Sequence, residues 1–199
     1  MTTTRIITAG VLGGIAMFIW SSIAHMALPL AHAGTHIGLL NEEKMLPALQ
    51  TGLGDQPGLY LFPGLGAGDN PTHEQEQEAM KHYEEKLAAN PSGFLVYHPA
   101  GSRPMAMVKL LTVEFLTELL ESILVVSLLA QTRIVSFGGR VGFVFVAGVL
   151  ASIVTNVPYW NWYGFPGVYT AAYMFTQIVG FLCIGLVAAL VLRSQKAEG

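Results

Sequence analysis

A long apolar stretch, residues 105–132, carries three glutamates, and this combination limits what the chain can fold into. On an α-helix, at about 100° per residue, Glu114, Glu118 and Glu121 fall within an arc of about 60°. The opposite face carries only apolar side chains, which suit hydrocarbon. A charged side chain at the centre of a bilayer costs about 2.5–3.5 kcal/mol. We therefore expect the glutamate face to meet protein or water, or to carry protonated carboxyls, while the apolar face meets lipid.

The composition agrees with insertion into a membrane. Of 199 residues, 52% are hydrophobic and 12% are charged, and the mean hydropathy is +0.51. This chain is too apolar for an ordinary soluble domain. A span of the bilayer takes about 20 mostly apolar residues. Four stretches meet that length: residues 6–28, 105–130, 141–160 and 168–192. The sequence therefore predicts an all-α membrane protein, a bundle of four transmembrane helices.

The distribution of charge predicts how the chain is oriented. The segment between the first two spans, residues 30–104, carries nine acidic and four basic residues. Most of the other basic residues mark the opposite side: Arg5, Arg133, Arg140, Arg193 and Lys196. Because lysine and arginine accumulate in cytoplasmic loops, we expect both termini in the cytoplasm and residues 30–104 outside it. The predicted organisation is helix 1 in residues 1–29, an extracytoplasmic cap in 30–104, and helices 2–4 in 105–199.

A cleaved signal peptide ending at residues 31–33 is the alternative for the N-terminus. The apolar run that begins at Ile6 is longer than the roughly 7–15 apolar residues of a signal peptide. We therefore expect this segment to be retained as a span.

The predicted cap contains two short strands, residues 58–62 and 93–97, with a helix between them. Thr72 and Gln75 match a capping box at the start of that helix, and its end is expected near Ala89. Strand, helix and strand in this order predict a right-handed, βαβ-like unit with parallel strands. Two strands alone are marginal in water. The cap is therefore expected to lean on the bilayer surface, on an aromatic loop or on another protein.

Several polar side chains fall at depths that match the glutamates. We expect a polar site in the outer half of the bundle, with Glu121 further inward. Its candidate residues are Glu114, Glu118, Glu121, Ser21, His25, Asn156 and Gln177. His25 is expected to make a hydrogen bond to a neighbour; the alternative is a metal or haem ligand. Gly10 and Gly14 in the first span, and Gly148 in the third, mark helix faces that allow close packing.

An aromatic segment follows the third predicted span. Tyr159, Trp160, Trp162 and Tyr163 suit the level of lipid headgroups, where amphipathic rings are favoured. We interpret them as an interfacial anchor. The alternative is a stacking surface for a pigment, a quinone or a lipid.

Enzyme signatures are thin, so we assign no catalytic, cofactor-binding or metal-binding residue. The sequence lacks nucleophile-elbow, zinc-protease, c-type haem and phosphate-loop motifs. Glu114 and Glu118 are four residues apart and could bind one metal, and His32 and His36 are a weaker metal candidate. No cofactor is named. No basic cluster exists for nucleic acid.

Five segments carry a resemblance to other proteins. They are the W-x-x-x-x-H pattern from Trp20 to His25, NEEKMLPAL, GLYLFPG, NPSGFLVYHPAG and WYGFP. With them the chain resembles an uncharacterised group of bacterial four-span membrane proteins that carry a small extracytoplasmic α/β cap. The resemblance implies a bacterial inner-membrane protein, and it attaches no function.

Two functions follow from these features. The first is a non-catalytic accessory or scaffold subunit, packed in a larger bacterial membrane complex of respiratory or photosynthetic type. Its partners would be membrane lipids and other membrane subunits, or further copies of the chain. The second is a proton or cation pathway built on the intramembrane glutamates, since carboxylates inside a membrane are usually functional.

Overall fold

The computed structural model describes residues 2–28, 30–68 and 70–193. The chain is mostly helical and divides into two compact units. Its elements are α1 (Thr3–Met26), α2 (Glu42–Leu53), β1 (Gly58–Phe62), α3 (His73–Ala89), β2 (Gly93–Tyr97), α4 (Met107–Ala130), α5 (Phe137–Tyr163) and α6 (Gly167–Val191). The helical unit contains α1, α4, α5 and α6, and the inserted unit is Gly38–Met105. Residues 30–37, which the sequence placed in the cap, therefore belong to the helical unit.

Three helices of the described chain are long and apolar enough to cross a membrane: α1, α5 and α6. They support a membrane-embedded protein. Helix α4 is as long as α1, but it carries Lys109 and three glutamates and is not among the three.

The helical unit is built in the order α4, α1, α6, α5. Helix α1 packs against both α4 and α6, and α6 packs against α5, whereas α4 and α5 make few contacts. Most of the fully buried apolar side chains gather in the half of the unit where α4 ends and α5 begins. We call this group the apolar core: Ala9, Val126, Leu129, Val144, Ile184 and Ala188.

Glycines bring the helix backbones of this unit close together. A Cβ atom at Gly10 would lie 2.9 Å from the Cα of Ile123, and one at Gly14 would lie 2.8 Å from the Cα of Leu119. A Cβ atom at Gly148 would collide with the side chain of Phe181. These glycine faces are therefore occupied by neighbouring helices of the same chain.

Arg140 is a helix residue rather than part of a loop between α4 and α5, where the sequence had placed it. It lies in the first turns of α5 and is 3% exposed. Its guanidinium donates to two carbonyl oxygens, from Nη1 to Leu192 at 2.6 Å and from Nε to Ile134 at 3.2 Å. The side chain thus links the start of α5 to the end of α6.

The inserted unit has the two strands and the helix that the sequence predicts. Thr72 and Gln75 form the complete capping box at the start of α3. A further helix, α2, begins at Glu42 and runs unbroken past Pro47.

The prediction of parallel strands was wrong: β1 and β2 are antiparallel, with Phe62 opposite Gly93. A parallel pair would need α3 to return the chain to the start of β1. Instead the last part of α3 packs near the end of β1, where Tyr83 donates to the Pro63 carbonyl at 3.1 Å. The chain therefore re-enters the sheet at the end it left, which makes the pair antiparallel.

Among the residues that the structure describes, none in the inserted unit is buried. Its acidic helix, α3, is exposed along its length apart from scattered half-buried positions. An ion pair with Lys81 lowers the pKa of Glu78 on that helix. The inserted unit thus exposes its apolar side chains as well as its charges.

Candidate functional site

A cavity of about 770 Å³ lies in the helical unit, in the half opposite the apolar core. All four helices contribute to its wall. The cavity forms where α4 and α5 separate, because α1 and α6 hold the two helices apart. It is therefore bounded by α4 on one side and α5 on the other.

Glu118 is the most buried charged residue of the cavity wall. Its side chain is 3% exposed, and its Oε2 atom has no hydrogen-bond partner among the described residues. The Ser21 hydroxyl lies beside the carboxyl, but it also lies 3.2 Å from the Phe18 carbonyl, to which it donates. A buried oxygen without a donor is costly to leave in that state. The site therefore offers a strong acceptor.

Two further carboxylates stand near Glu118 on the same face of α4. Glu114 is exposed and Glu121 is half-buried, and both are close enough to act on Glu118 electrostatically. Within the described chain, no lysine or arginine forms an ion pair with any of the three. Carboxylates grouped in this way repel each other unless a proton, a cation or a donor lies between them.

Helix α1 contributes two rings with fixed positions. Trp20 donates from Nε1 to the Thr176 carbonyl at 2.8 Å, which ties the indole to α6. His25 donates from Nδ1 to the Ser21 carbonyl at 2.8 Å, and its ring stands edge-on to Tyr173 at 6.3 Å. The His25 hydrogen bond therefore stays within α1.

Amide side chains close the opposite wall. Asn156 on α5 donates from Nδ2 to the Gln177 Oε1 on α6 at 3.3 Å and to the Ser152 carbonyl at 2.9 Å. This pair joins the two helices beside the cavity. Both of these hydrogen bonds of the Asn156 amide are made to residues of α5 and α6.

The structure brings all seven candidate residues to one cavity: Glu114, Glu118, Glu121, Ser21, His25, Asn156 and Gln177. Sequence reasoning missed Trp20, Tyr173 and Thr176, which also line it. Within an apolar run nothing distinguishes an aromatic side chain that faces a cavity from one that faces lipid. Among the described residues, no group of three or more His, Cys, Asp or Glu could hold a metal ion.

The aromatic residues of the predicted anchor lie on the last turns of α5, since that helix continues through Pro158 to Tyr163. All four are exposed: Tyr159, Trp160, Trp162 and Tyr163. From Tyr159 a chain of ring contacts leads through Phe165 and Tyr169 to Tyr173 in the cavity wall, with centroid distances of 5.4, 5.5 and 4.3 Å. The anchor role itself stays a prediction.

The fold and the cavity define a helical, membrane-embedded protein with a carboxylate-lined site. Cavities of about 300–1,000 Å³ with mostly apolar walls and a few convergent polar groups suit small ligands. No family model, curated protein or solved structure matches the chain. The chemistry of the site is therefore inferred from its own residues.

Proposed function

We propose that the protein is a non-catalytic subunit of a larger complex in the inner membrane of a bacterium. In this proposal it has four spans, both termini are cytoplasmic, and the inserted unit faces the extracytoplasmic side. The observation that carries the proposal is an exposed apolar face on the sheet of the inserted unit, which needs a partner.

The packing of α4 supports a fourth span. Gly10 and Gly14 hold α1 against Ile123 and Leu119 of α4, so the two helices run antiparallel in close contact. If α1 crosses the bilayer, α4 lies at the same depth beside it. The side of α4 that faces away from the bundle is apolar and exposed, as lipid requires: Val113, Leu116, Leu120, Leu124 and Leu128. The glutamates are turned to the cavity, which avoids the cost of placing them in lipid.

One face of the two-stranded sheet is apolar. In an antiparallel pair, directly opposed residues share a face, and here Leu59 opposes Val96 while Leu61 opposes Phe94. The exposed fractions of Leu59, Leu61 and Val96 are 60%, 55% and 58%. We call Leu59, Leu61 and Val96 the apolar sheet face. Exposed apolar patches of this kind mark surfaces for interaction.

Charge favours a protein as the partner of the apolar sheet face. The inserted unit carries nine acidic and four basic residues, an excess of five negative charges. Anionic lipid headgroups repel such a unit. A protein surface that combines an apolar patch with basic residues around it complements both features.

Replacing Leu61 with aspartate is expected to remove the partner while leaving the helical unit intact. A charge on the apolar sheet face must be desolvated when the partner binds, so association weakens by at least about tenfold. Purification from native membranes in mild detergent, with native mass spectrometry, measures the stoichiometry. The matched control is Met80→Asp, which places the same charge at an exposed apolar position of α3.

A photo-crosslinker at position 61 distinguishes a protein partner from the lipid surface. Crosslinks to one protein, lost in Leu59→Asp, support the subunit role. Crosslinks to lipid alone, or a stable monomer that retrieves no partner from native membranes, would contradict it.

A proton or cation pathway is the second candidate, favoured by the unpartnered oxygen of Glu118 among three carboxylates. Against it, the half of the unit beyond Glu121 is filled mainly by the apolar core, in which Ser122 and Arg140 are also buried. Val126, Leu129 and Val144 are fully buried there and offer no polar group to a moving ion. The geometry therefore supports a closed site, meaning a cavity that ends at the apolar core, better than a path across the membrane.

We expect vesicles that contain the protein to leak protons no faster than protein-free vesicles, because the apolar core blocks the route. A pH-sensitive dye trapped inside the vesicles measures this flux after a pH jump. The comparison is the triple variant Glu114→Gln, Glu118→Gln and Glu121→Gln. Flux in the unaltered protein that disappears in the folded triple variant would establish the pathway and overturn the closed site.

A further inference from the structure

We propose that the cavity binds a lipophilic cation whose charged end carries N–H groups, such as a primary ammonium on an apolar chain. The inference concerns the helical unit alone and does not depend on the subunit role. It rests on three features of the wall: an unsatisfied acceptor, an excess of carboxylates and a fixed aromatic ring.

The unsatisfied acceptor is the Oε2 atom of Glu118. Glu118 is only 3% exposed and lines the cavity, yet this oxygen receives no hydrogen bond within the described chain. Water or a ligand in the cavity has to supply the donor. Hydrogen bonds between a cation and a carboxylate are roughly twice as strong as neutral ones. An ammonium group therefore makes a stronger hydrogen bond to this atom than a neutral hydroxyl does.

The neighbouring charges favour a cation. Glu114 and Glu121 add two carboxyls to the same side of the cavity, and His25 is the basic side chain of the lining that acts on Glu118. The imidazole Nδ1 already donates a hydrogen bond to the Ser21 carbonyl. One ligand cation placed among the three carboxyls lowers their mutual repulsion, whereas an anion raises it.

The rest of the wall suits the apolar part of the ligand. Leu110, Leu111 and Phe18 line the cavity. The Trp20 indole is held in place by its hydrogen bond to Thr176, and a fixed indole face attracts a cation within about 6 Å. The alkyl chain of the ligand can enter from the lipid through the space between α4 and α5, since those helices make few contacts.

The demand for N–H groups excludes a quaternary ammonium as the best ligand. A trimethylammonium group carries the charge, but it donates no hydrogen bond to the Glu118 oxygen. A long-chain alcohol donates one hydrogen bond but carries no charge. Comparison of these three head groups on one chain therefore tests the proposal directly.

Trp20 can report binding, because the chain has three tryptophans and only this one lines the cavity. The variant Trp160→Phe with Trp162→Phe leaves it as the single tryptophan, which can be excited apart from the tyrosines. Three dodecyl probes, each with a nitroxide on the chain, are added to the full chain in lipid nanodiscs: the ammonium, the trimethylammonium and the alcohol. Trp20→Phe, which keeps the other two tryptophans, measures quenching by probes that merely dissolve in the lipid.

We expect the ammonium probe to half-quench Trp20 at a concentration at least about tenfold below that of either other probe. Glu118→Gln should erase that difference, whereas Glu84→Gln, an exposed glutamate on α3, should preserve it. Equal quenching by ammonium and alcohol overturns the proposal, and so does a preference that survives Glu118→Gln. Equal quenching by ammonium and trimethylammonium overturns the requirement for N–H groups. Because the comparison of probes needs no variant of Glu118, it decides the matter even if Glu118→Gln fails to fold.

Discussion

Replacing Gly14 with alanine is expected to lower the free energy of unfolding of the helical unit by about 1–3 kcal/mol. A Cβ atom at this position would lie 2.8 Å from the Cα of Leu119 and 3.1 Å from the carbonyl oxygen of Glu118. Both atoms belong to the backbone, so no side-chain rotation relieves the contact. Helices α1 and α4 must move apart, and the contacts that hold the Glu118 wall of the cavity loosen with them.

Gly142→Ala is the matched control, since Gly142 also lies inside a helix but a Cβ atom there meets nothing within 4 Å. Removing a helical glycine without a clash stabilises a helix by about 0.5–1 kcal/mol. Unfolding in mixed micelles of rising SDS content, followed by circular dichroism, measures both variants. Equal stability of Gly14→Ala and Gly142→Ala would show that α1 and α4 do not approach as closely as described.

Elements whose causes are local could be predicted from the sequence. The capping box of Thr72 and Gln75 specifies the start of α3 through two hydrogen bonds that span three residues. Short runs of apolar and aromatic residues bounded by glycine and proline likewise predict β1 and β2. In each case the residues that decide the element lie within it or beside it.

The direction of the strands depends on contacts that the sequence does not display. It is set by where α3 packs, and Tyr83 reaches the Pro63 carbonyl across 20 positions of the chain. Lys86 reaches the carbonyl of Gly64 in the same region at 2.6 Å. The preference for right-handed parallel crossovers applies only when the helix covers the sheet and returns to its starting edge. Here the helix does not return, and the general rule gave the wrong topology.

For the cavity, the helical period predicted which face of α4 carries the carboxyls but not what surrounds them. Glu114, Glu118 and Glu121 share a face because of geometry within one helix. That Trp20 is tied to Thr176 depends on how α1 crosses α6, which no local pattern encodes. The sequence therefore gives the charge of the site, and the packing of four helices decides its shape.

Replacing Arg140 with glutamine is expected to cost about 3 kcal/mol of unfolding free energy, because buried hydrogen bonds from a charged group are worth about 1.5–3 kcal/mol. The guanidinium donates to the Leu192 carbonyl, at the end of α6, and to the Ile134 carbonyl before α5. The last carbonyls of a helix have no partner within it, and a cation there also complements the helix dipole. Glutamine is shorter and neutral, so it leaves at least one of these oxygens without a donor.

Arg133→Gln is the control, because Arg133 is exposed in the connection before α5 and its loss should change stability by no more than about 0.5 kcal/mol. Arg140→Lys should fall between the two, since an ammonium keeps the charge but cannot match the planar fork. Unfolding in mixed micelles again gives the ordering. The same two arginines were counted alike as cytoplasmic charges in the sequence, and charge alone predicts equal effects for them. If only the Arg140 variant loses stability, Arg140 stabilises the packing of α5 on α6. Equal losses of stability in the two variants would contradict that role.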